Sequence, residues 1–261
     1  MTGAWQRLGQ VYLVAVIIFA LGPAAVVVFD SVNSATSFPS PFEQFTLRWY
    51  AAVAGRPELF EAARNSLVVA LLSASVASVI AFLAAYALSR STFPGRHAVA
   101  TALIGPLFIP EIVLGLAILQ IAGAADLTLN LATLTAAHTL FVMPFALRLT
   151  LSGFSRFDFN LEWAARSLGA SQGIALRRVV LPLVRPNLIA GFTLAAIMSF
   201  VNLPVSMFLT TPTTATLPVS VFAYMESRID PMIAAVASLV LFVAVIATFF
   251  LDRVLKIRII G

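Results

Sequence analysis

The chain has no cysteine and only two histidines, His97 and His138, far apart in sequence. Without cysteine there is no disulfide framework and no thiolate to ligate a metal or attack a substrate. Two isolated histidines do not suggest a metal site. Charge is scarce as well. Asp, Glu, Lys and Arg make up 10% of the residues, against about 25% in a soluble domain. So few charges cannot cover a water-facing surface. Motifs for chemistry are also missing. No G-x-x-x-x-G-K-[ST] occurs, which excludes nucleotide binding by a P-loop. No G-x-S-x-G, H-E-x-x-H or carboxylate pair suggests an enzyme active site.

What the chain has in abundance is apolar side chains, 61% of the total, with a mean hydropathy of +1.00. An integral membrane protein is expected. Six apolar segments stand out, roughly 11–29, 66–88, 98–121, 131–147, 188–210 and 232–251. Most approach the ~20 residues that an α-helix needs to cross ~30 Å of hydrocarbon. They are continuously apolar rather than alternating, which argues against membrane strands. The expected fold is all-α, with six transmembrane helices in a single domain over residues 1–261. The first segment follows Arg7 as a signal peptide would, but its length and the lack of a clear A-x-A site favour a retained anchor.

Arginine placement sets the orientation. Twelve of the 16 Lys and Arg fall in one set of loops: Arg7, Arg90, Arg96, Arg148, Arg156, Arg166, Arg177, Arg178, Arg185, Arg253, Lys256 and Arg258. The other set holds four, Arg48, Arg56, Arg64 and Arg228. The positive-inside rule then places both termini and the loop 148–187 in the cytoplasm, and the loop 30–65 outside. Asp30, Glu43, Glu58, Glu61, Asp126, Glu226 and Asp230 fall on the outer side. The pI near 10.4 therefore reflects topology, and nucleic acid is not an expected partner.

One inner loop is a polar island, "EWAARSLGASQGIALRRVVLP" at 162–182. Asn160 can cap a helix, and Glu162 suits the positive end of its dipole. Leu161, Ala164, Ala165 and Leu168 fall on one apolar face, expected to lie against the membrane spans. Gly169 can end this helix and Ser171 can cap the next. The second runs to Leu181-Pro182, where proline is expected to turn the chain back to the membrane. Composition alone allows a plain interfacial loop whose arginines meet anionic lipid.

The spacing points further. The stretch resembles the EAA loop of permease subunits of binding-protein-dependent ABC importers, which runs E-A-A, three residues, Gly, nine residues, I-x-L-P. Here Ala164-Ala165 are followed by three residues and Gly169, and nine more lead to Val179, Val180, Leu181 and Pro182. Trp163 stands where the motif has its glutamate, with Glu162 just before it, and Val179 replaces isoleucine. A near twin, "EAARNSL" at 61–67, has leucine at the glycine position and no L-P after it, and reads as a helix leading into the second span. The strings 45–67 and 199–235 resemble the polyamine-type branch of the same permeases.

The resemblance implies the six-helix type I (MetI-like) permease architecture in a bacterial inner membrane. It also implies a coupling helix that docks on a cytoplasmic ATPase. Carried over, that surface comprises Glu162, Trp163, Ala164, Ala165, Arg166, Leu168, Gly169 and Ala170. Implied partners are two copies of the ATPase, which would bind ATP and Mg, a second permease subunit, a periplasmic substrate-binding protein and the lipid bilayer. This chain itself would bind no cofactor. The solute would be a small amine such as a polyamine, with phosphonate, opine or iron importers as alternatives.

Polar residues within the spans complete the reading. Pro106, Pro110 and Glu111 interrupt the third span, and Glu111 is the only carboxylate deep in a span. Such breaks are tolerated where protein or a water-filled cavity satisfies the backbone, and an intramembrane acid is by default a functional candidate. A cationic solute would suit it; a buried neutral acid is the plain alternative. In the fifth span Asn202 either lines a pathway or bonds across helices, with Pro204, Ser206 and Phe208 nearby. His138 reads as a packing residue. A secondary transporter would explain the spans and Glu111 but not the loop spacing.

Overall fold

The computed structural model describes the backbone of residues 2–37 and 41–255 and the side chains of 5–37 and 41–246. Lys256 and Arg258, counted in the charge distribution, lie outside the described residues. Among the described residues the chain is helical apart from connections and one isolated bridge between Asn33 and Phe45. The helices are α1 (Thr2–Ser31), α2 (Arg48–Ala54), α3 (Pro57–Arg90), α4 (Arg96–Ile104), α5 (Glu111–Ala124), α6 (Leu131–Phe154), α7 (Asn160–Ser167), α8 (Gln172–Ala175), α9 (Leu181–Phe200), α10 (Ser206–Leu209), α11 (Leu217–Ser227) and α12 (Met232–Leu255).

Four stretches are long and apolar enough to cross a membrane: Trp5–Ser31, Pro57–Arg90, Leu131–Phe154 and Gln172–Phe200. The broken pair Arg96–Phe108 and Glu111–Ala124, bent by 106°, would make a fifth. The last apolar helix is Met232–Ile246 over its described side chains. The expectation of six spans thus meets four or five, plus this shorter helix, among the described residues.

Two segments depart from their expected shapes for identifiable reasons. The third is not one rod over 98–121. A 3₁₀ turn at Gly105–Phe108 leads to Pro110 in extended geometry, and α5 starts afresh at Glu111. Pro110 has no N–H to continue a ladder and biases Ile109 away from helix, so the chain changes direction there. The fifth is displaced. Helix begins at Gln172 rather than near 188 and ends at Phe200, with residues 201–205 outside any helix. Pro182 does not turn the chain. A π-helical stretch, Leu176–Val180, precedes it, with the Leu181 N–H bonding five residues back to the Leu176 carbonyl. The wider turn accommodates the proline within a continuous helix.

The chain divides into two units, Met1–Leu59 with Val221–Gly261, and Phe60–Ser220. In the first, α1 is exposed all round over residues 5–21, with Trp5 74% and Phe19 85% accessible, as a lipid-facing helix would be, while Asp30 and Ser31 at its end are buried. The hydroxyls of Ser31, Tyr50 and Ser238 bond in series at 2.7 and 2.8 Å, joining α1, α2 and α12. In the second, α3 buries a stripe of small residues, Ala74, Ala77, Ala81 and Ala85, which lets neighbours approach closely. α6 and α9 contribute Leu134, Val142, Leu147, Val184 and Ala195 to the same core. The turn 210–217 is pinned to the start of α3. Asn65 Nδ2 donates to the carbonyls of Thr213 and Ala215, and the Leu217 N–H donates to Ser66 Oγ at 2.8 Å.

Candidate functional site

The first candidate is α7 and its flanks. Asn160 is the first residue of the helix rather than the cap, which is Phe159 without a side-chain bond; just before it the Asp158 side chain accepts from the Asn160 N–H at 2.9 Å. Gly169 does stop it. With φ at +92° it adopts the left-handed conformation that glycine tolerates best. The Gly169 and Ala170 N–H groups bond back to the Arg166 and Ala165 carbonyls at 3.0 and 3.1 Å, a Schellman closure. Ser171 Oγ then caps α8 by accepting from the Ile174 N–H.

The orientation of α7 reverses the amphipathic expectation. Leu161, Trp163 and Leu168 are 47%, 56% and 90% exposed, and Ala164 is exposed as well. Ala165, Arg166 and Ala170 are half-buried and Gly169 is exposed. Glu162, expected on the docking surface, is instead the buried residue, 1% accessible. Its burial has a cause on α3. Glu162 Oε1 accepts from the Tyr86 hydroxyl at 2.9 Å and lies 3.1 Å from Arg90 Nη2. A carboxylate enters an interior when a cation and a donor meet it there. Phe82, Phe154, Phe157 and Phe159 pack around Tyr86 and one another, closing the nest. The Arg90 guanidinium lies 5.6 Å from the ring centres of both Tyr86 and Trp163, and Arg166 lies 5.1 Å from Trp163. Glu162 Oε2 is buried and has no hydrogen-bond partner among the described residues. Tyr86 and Arg90 were not singled out from the sequence. Their i, i+4 spacing at the end of a long apolar helix was the available signal.

The second candidate joins the two helix breaks. Glu111, first residue of α5 and half-buried, accepts from Asn202 Nδ2 at 2.7 Å. Asn202, in the non-helical stretch after α9, also accepts from the Val205 N–H at 3.0 Å and is 4% exposed. It therefore bonds across helices. Ser206 Oγ donates to the Asn202 carbonyl at 2.9 Å, and His138 lies within bonding distance of Ser206 Oγ through Nε2 (3.0 Å) and of Ser199 Oγ through Nδ1 (2.7 Å). Ser73 of α3 reaches Ser199 at 3.0 Å. His138, read from sequence as a packing residue, bridges the break between α9 and α10. Close packing holds the breaks together. A Cβ on Gly115 would sit 2.9 Å from the Phe208 ring and 3.1 Å from the Pro204 carbonyl, so only glycine fits. Phe208 is half-buried there, Ser206 is fully buried and Pro110 is exposed. Among the described residues no cation pairs with Glu111.

Residues 18–259 match the family described as binding-protein-dependent transport system inner membrane component. The spermidine/putrescine transport system permease protein PotC of Escherichia coli (strain K12) is 29% identical over 235 residues, 90% of this chain and 89% of its own length. A probable molybdenum ABC transporter permease protein of Haloferax volcanii is 38% identical over 141 residues, 51% of this chain and 52% of its own. Among solved structures, a chain of a bacterial ABC transporter involved in the import of the acidic polysaccharide alginate superposes with a TM-score of 0.75. That alignment covers 100% of this chain and 99% of the other at 18% identity, a likeness of fold.

Proposed function

This chain belongs to the family of binding-protein-dependent transport system inner membrane components, and from that premise we infer that it is one membrane-spanning half of an ATP-driven importer, coupled to its ATPase through α7. The family match over residues 18–259 carries the importer reading. The coupling role is supported by the loop spacing and by the outward face of α7, where Leu161, Trp163 and Leu168 are 47%, 56% and 90% exposed. An exposed aromatic beside arginines is a frequent interface anchor. On this reading α7 and both termini face the cytoplasm. Two ATPase subunits bind ATP and Mg, a second permease subunit completes the pathway, and a periplasmic binding protein delivers the solute. The chain itself is not an enzyme.

The solute is a small amine-bearing cation. This reading is supported by the likeness to the spermidine/putrescine permease over 90% of the chain and by Glu111, whose carboxylate would offset the hydration an ammonium loses. The match to the molybdenum permease, higher in identity over half of the chain, favours a second reading, a molybdenum importer. The binding protein that works with this chain distinguishes them: one that binds only anions contradicts the amine. The docking face is tested by Leu168→Asp. Leu168 is 90% exposed, so the change leaves the fold intact. Loss of ATPase co-purification and of ATP-dependent uptake is expected; retention of both overturns the assignment.

A further inference from the structure

If an ATPase grips α7, something must carry its movement into a membrane helix. The connections on either side, residues 155–159 and 168–171, are not helical, so backbone continuity alone does not make α7 one rigid element with its neighbours. α7 also packs against α8 and the π-helical stretch that leads into α9, but its side-chain hydrogen bond and ion pair run to α3, through Glu162, Tyr86 and Arg90. Stability does not explain why a charged pair is used there. A buried ion pair is often no better than packed apolar side chains of the same volume, and here one carboxylate oxygen stays unpartnered. A charged pair does fix one geometry, because removing either partner strands the other.

We propose that Glu162 is a positioning residue that clamps α7 to α3, so that displacement of α7 by the ATPase moves α3 instead of being absorbed in the loop. Trp163 links the gripped face to the clamp. Its ring is half in solvent, and the same Arg90 guanidinium that pairs with Glu162 lies against it. A partner seated on Trp163 therefore bears on the ion pair directly. α3 is suited to pass the movement on. It is one helix from Pro57 to Arg90 without an internal break. Ser66 and Tyr86 are 20 residues apart in it, about 30 Å at 1.5 Å per residue and so about the hydrocarbon thickness. At the Ser66 end the same helix holds the turn 210–217 through Asn65 and Ser66. Two small contact sets at opposite ends of one rod, both within the Phe60–Ser220 unit, give a physical connection between the two membrane faces.

This inference rests on the docking reading, and the test separates the two. The complete complex is reconstituted in vesicles with its binding protein, and solute uptake and ATP hydrolysis are measured together. Glu162→Gln keeps the shape and removes the charge. Arg90→Met removes the other partner. Both are expected to leave ATPase co-purification intact and to lower uptake per ATP hydrolysed about fivefold or more, the usual size of a coupling between sites. The exchange Glu162→Arg with Arg90→Glu is expected to recover part of that ratio, which a merely structural role would not do. Tyr86→Phe removes one hydroxyl and is expected to lower the ratio about twofold, below the usual coupling range, and it serves if Glu162→Gln or Arg90→Met fails to assemble. An unchanged ratio in Arg90→Met and Tyr86→Phe overturns the clamp. If Leu168→Asp retains the ATPase, the docking reading fails; if it loses the ATPase while the ratio is unchanged in the clamp variants, the clamp alone fails.

Discussion

Glu111 and Glu162 exchange the places that their sequence surroundings suggest. Glu111 lies in an apolar segment yet is only half-buried, and its partner is the neutral amide of Asn202. Glu162 lies in a polar, arginine-rich loop yet is 1% exposed and paired with Arg90. Burial of a carboxylate follows its partners rather than the hydropathy of its neighbours. A cation and a hydroxyl wait for Glu162 at the end of α3, so desolvation is offset there. Glu111 meets one amide N–H, and its remaining lone pairs stay available to an incoming donor. Glu162 is held by two side chains of α3, whereas the described residues give Glu111 one side-chain partner.

The comparison can be broken at several points. The largest effect is expected from Arg90→Ala, which strands the Glu162 charge. A loss of about 3–5 kcal/mol follows for a buried pair deprived of one partner, read as a fall in thermal unfolding temperature in detergent. A small change would mean that Glu162 reaches water. Glu111→Gln should behave differently. The Gln carbonyl still accepts from Asn202, so stability is expected to hold, while uptake of an amine solute falls about tenfold, or roughly 1.4 kcal/mol. Undiminished uptake would remove Glu111 from the pathway. His138→Leu tests the bridge across the α9 break. Ser199 and Ser206 each lose a buried partner but keep Ser73 and the Asn202 carbonyl, so about 0.5–1.5 kcal/mol per lost hydrogen bond is expected, measured by the same unfolding experiment. Arg166→Ala is expected to matter least, at about 0.5–1 kcal/mol for a half-buried cation against the Trp163 ring, because Arg90 still flanks that ring.

The end of α7 was legible because its signals are local. Gly169 and Ser171 act on backbone groups within a few residues. Its rotation was not legible, because Tyr86 is 76 residues away from Glu162 and periodicity saw only the apolar stripe. The same holds at His138, whose partners lie 61 and 68 residues on. Pro106 and Pro110 announced a break in the third segment but not its 106° bend, which depends on how α5 packs against Pro204 and Phe208 through Gly115. At Pro182 the usual rule misled, since a π turn let the helix continue. The family resemblance rested on spacing, which survives the rotation of the helix. The assignment of Glu162 to the outer face did not survive it.

The chain contains no cysteine, so a single Leu168→Cys provides a clean reporter of the outward face of α7. In vesicles that expose this face, a membrane-impermeant maleimide should label it readily, and addition of the ATPase should protect it. Equal labelling with and without the ATPase would contradict the account.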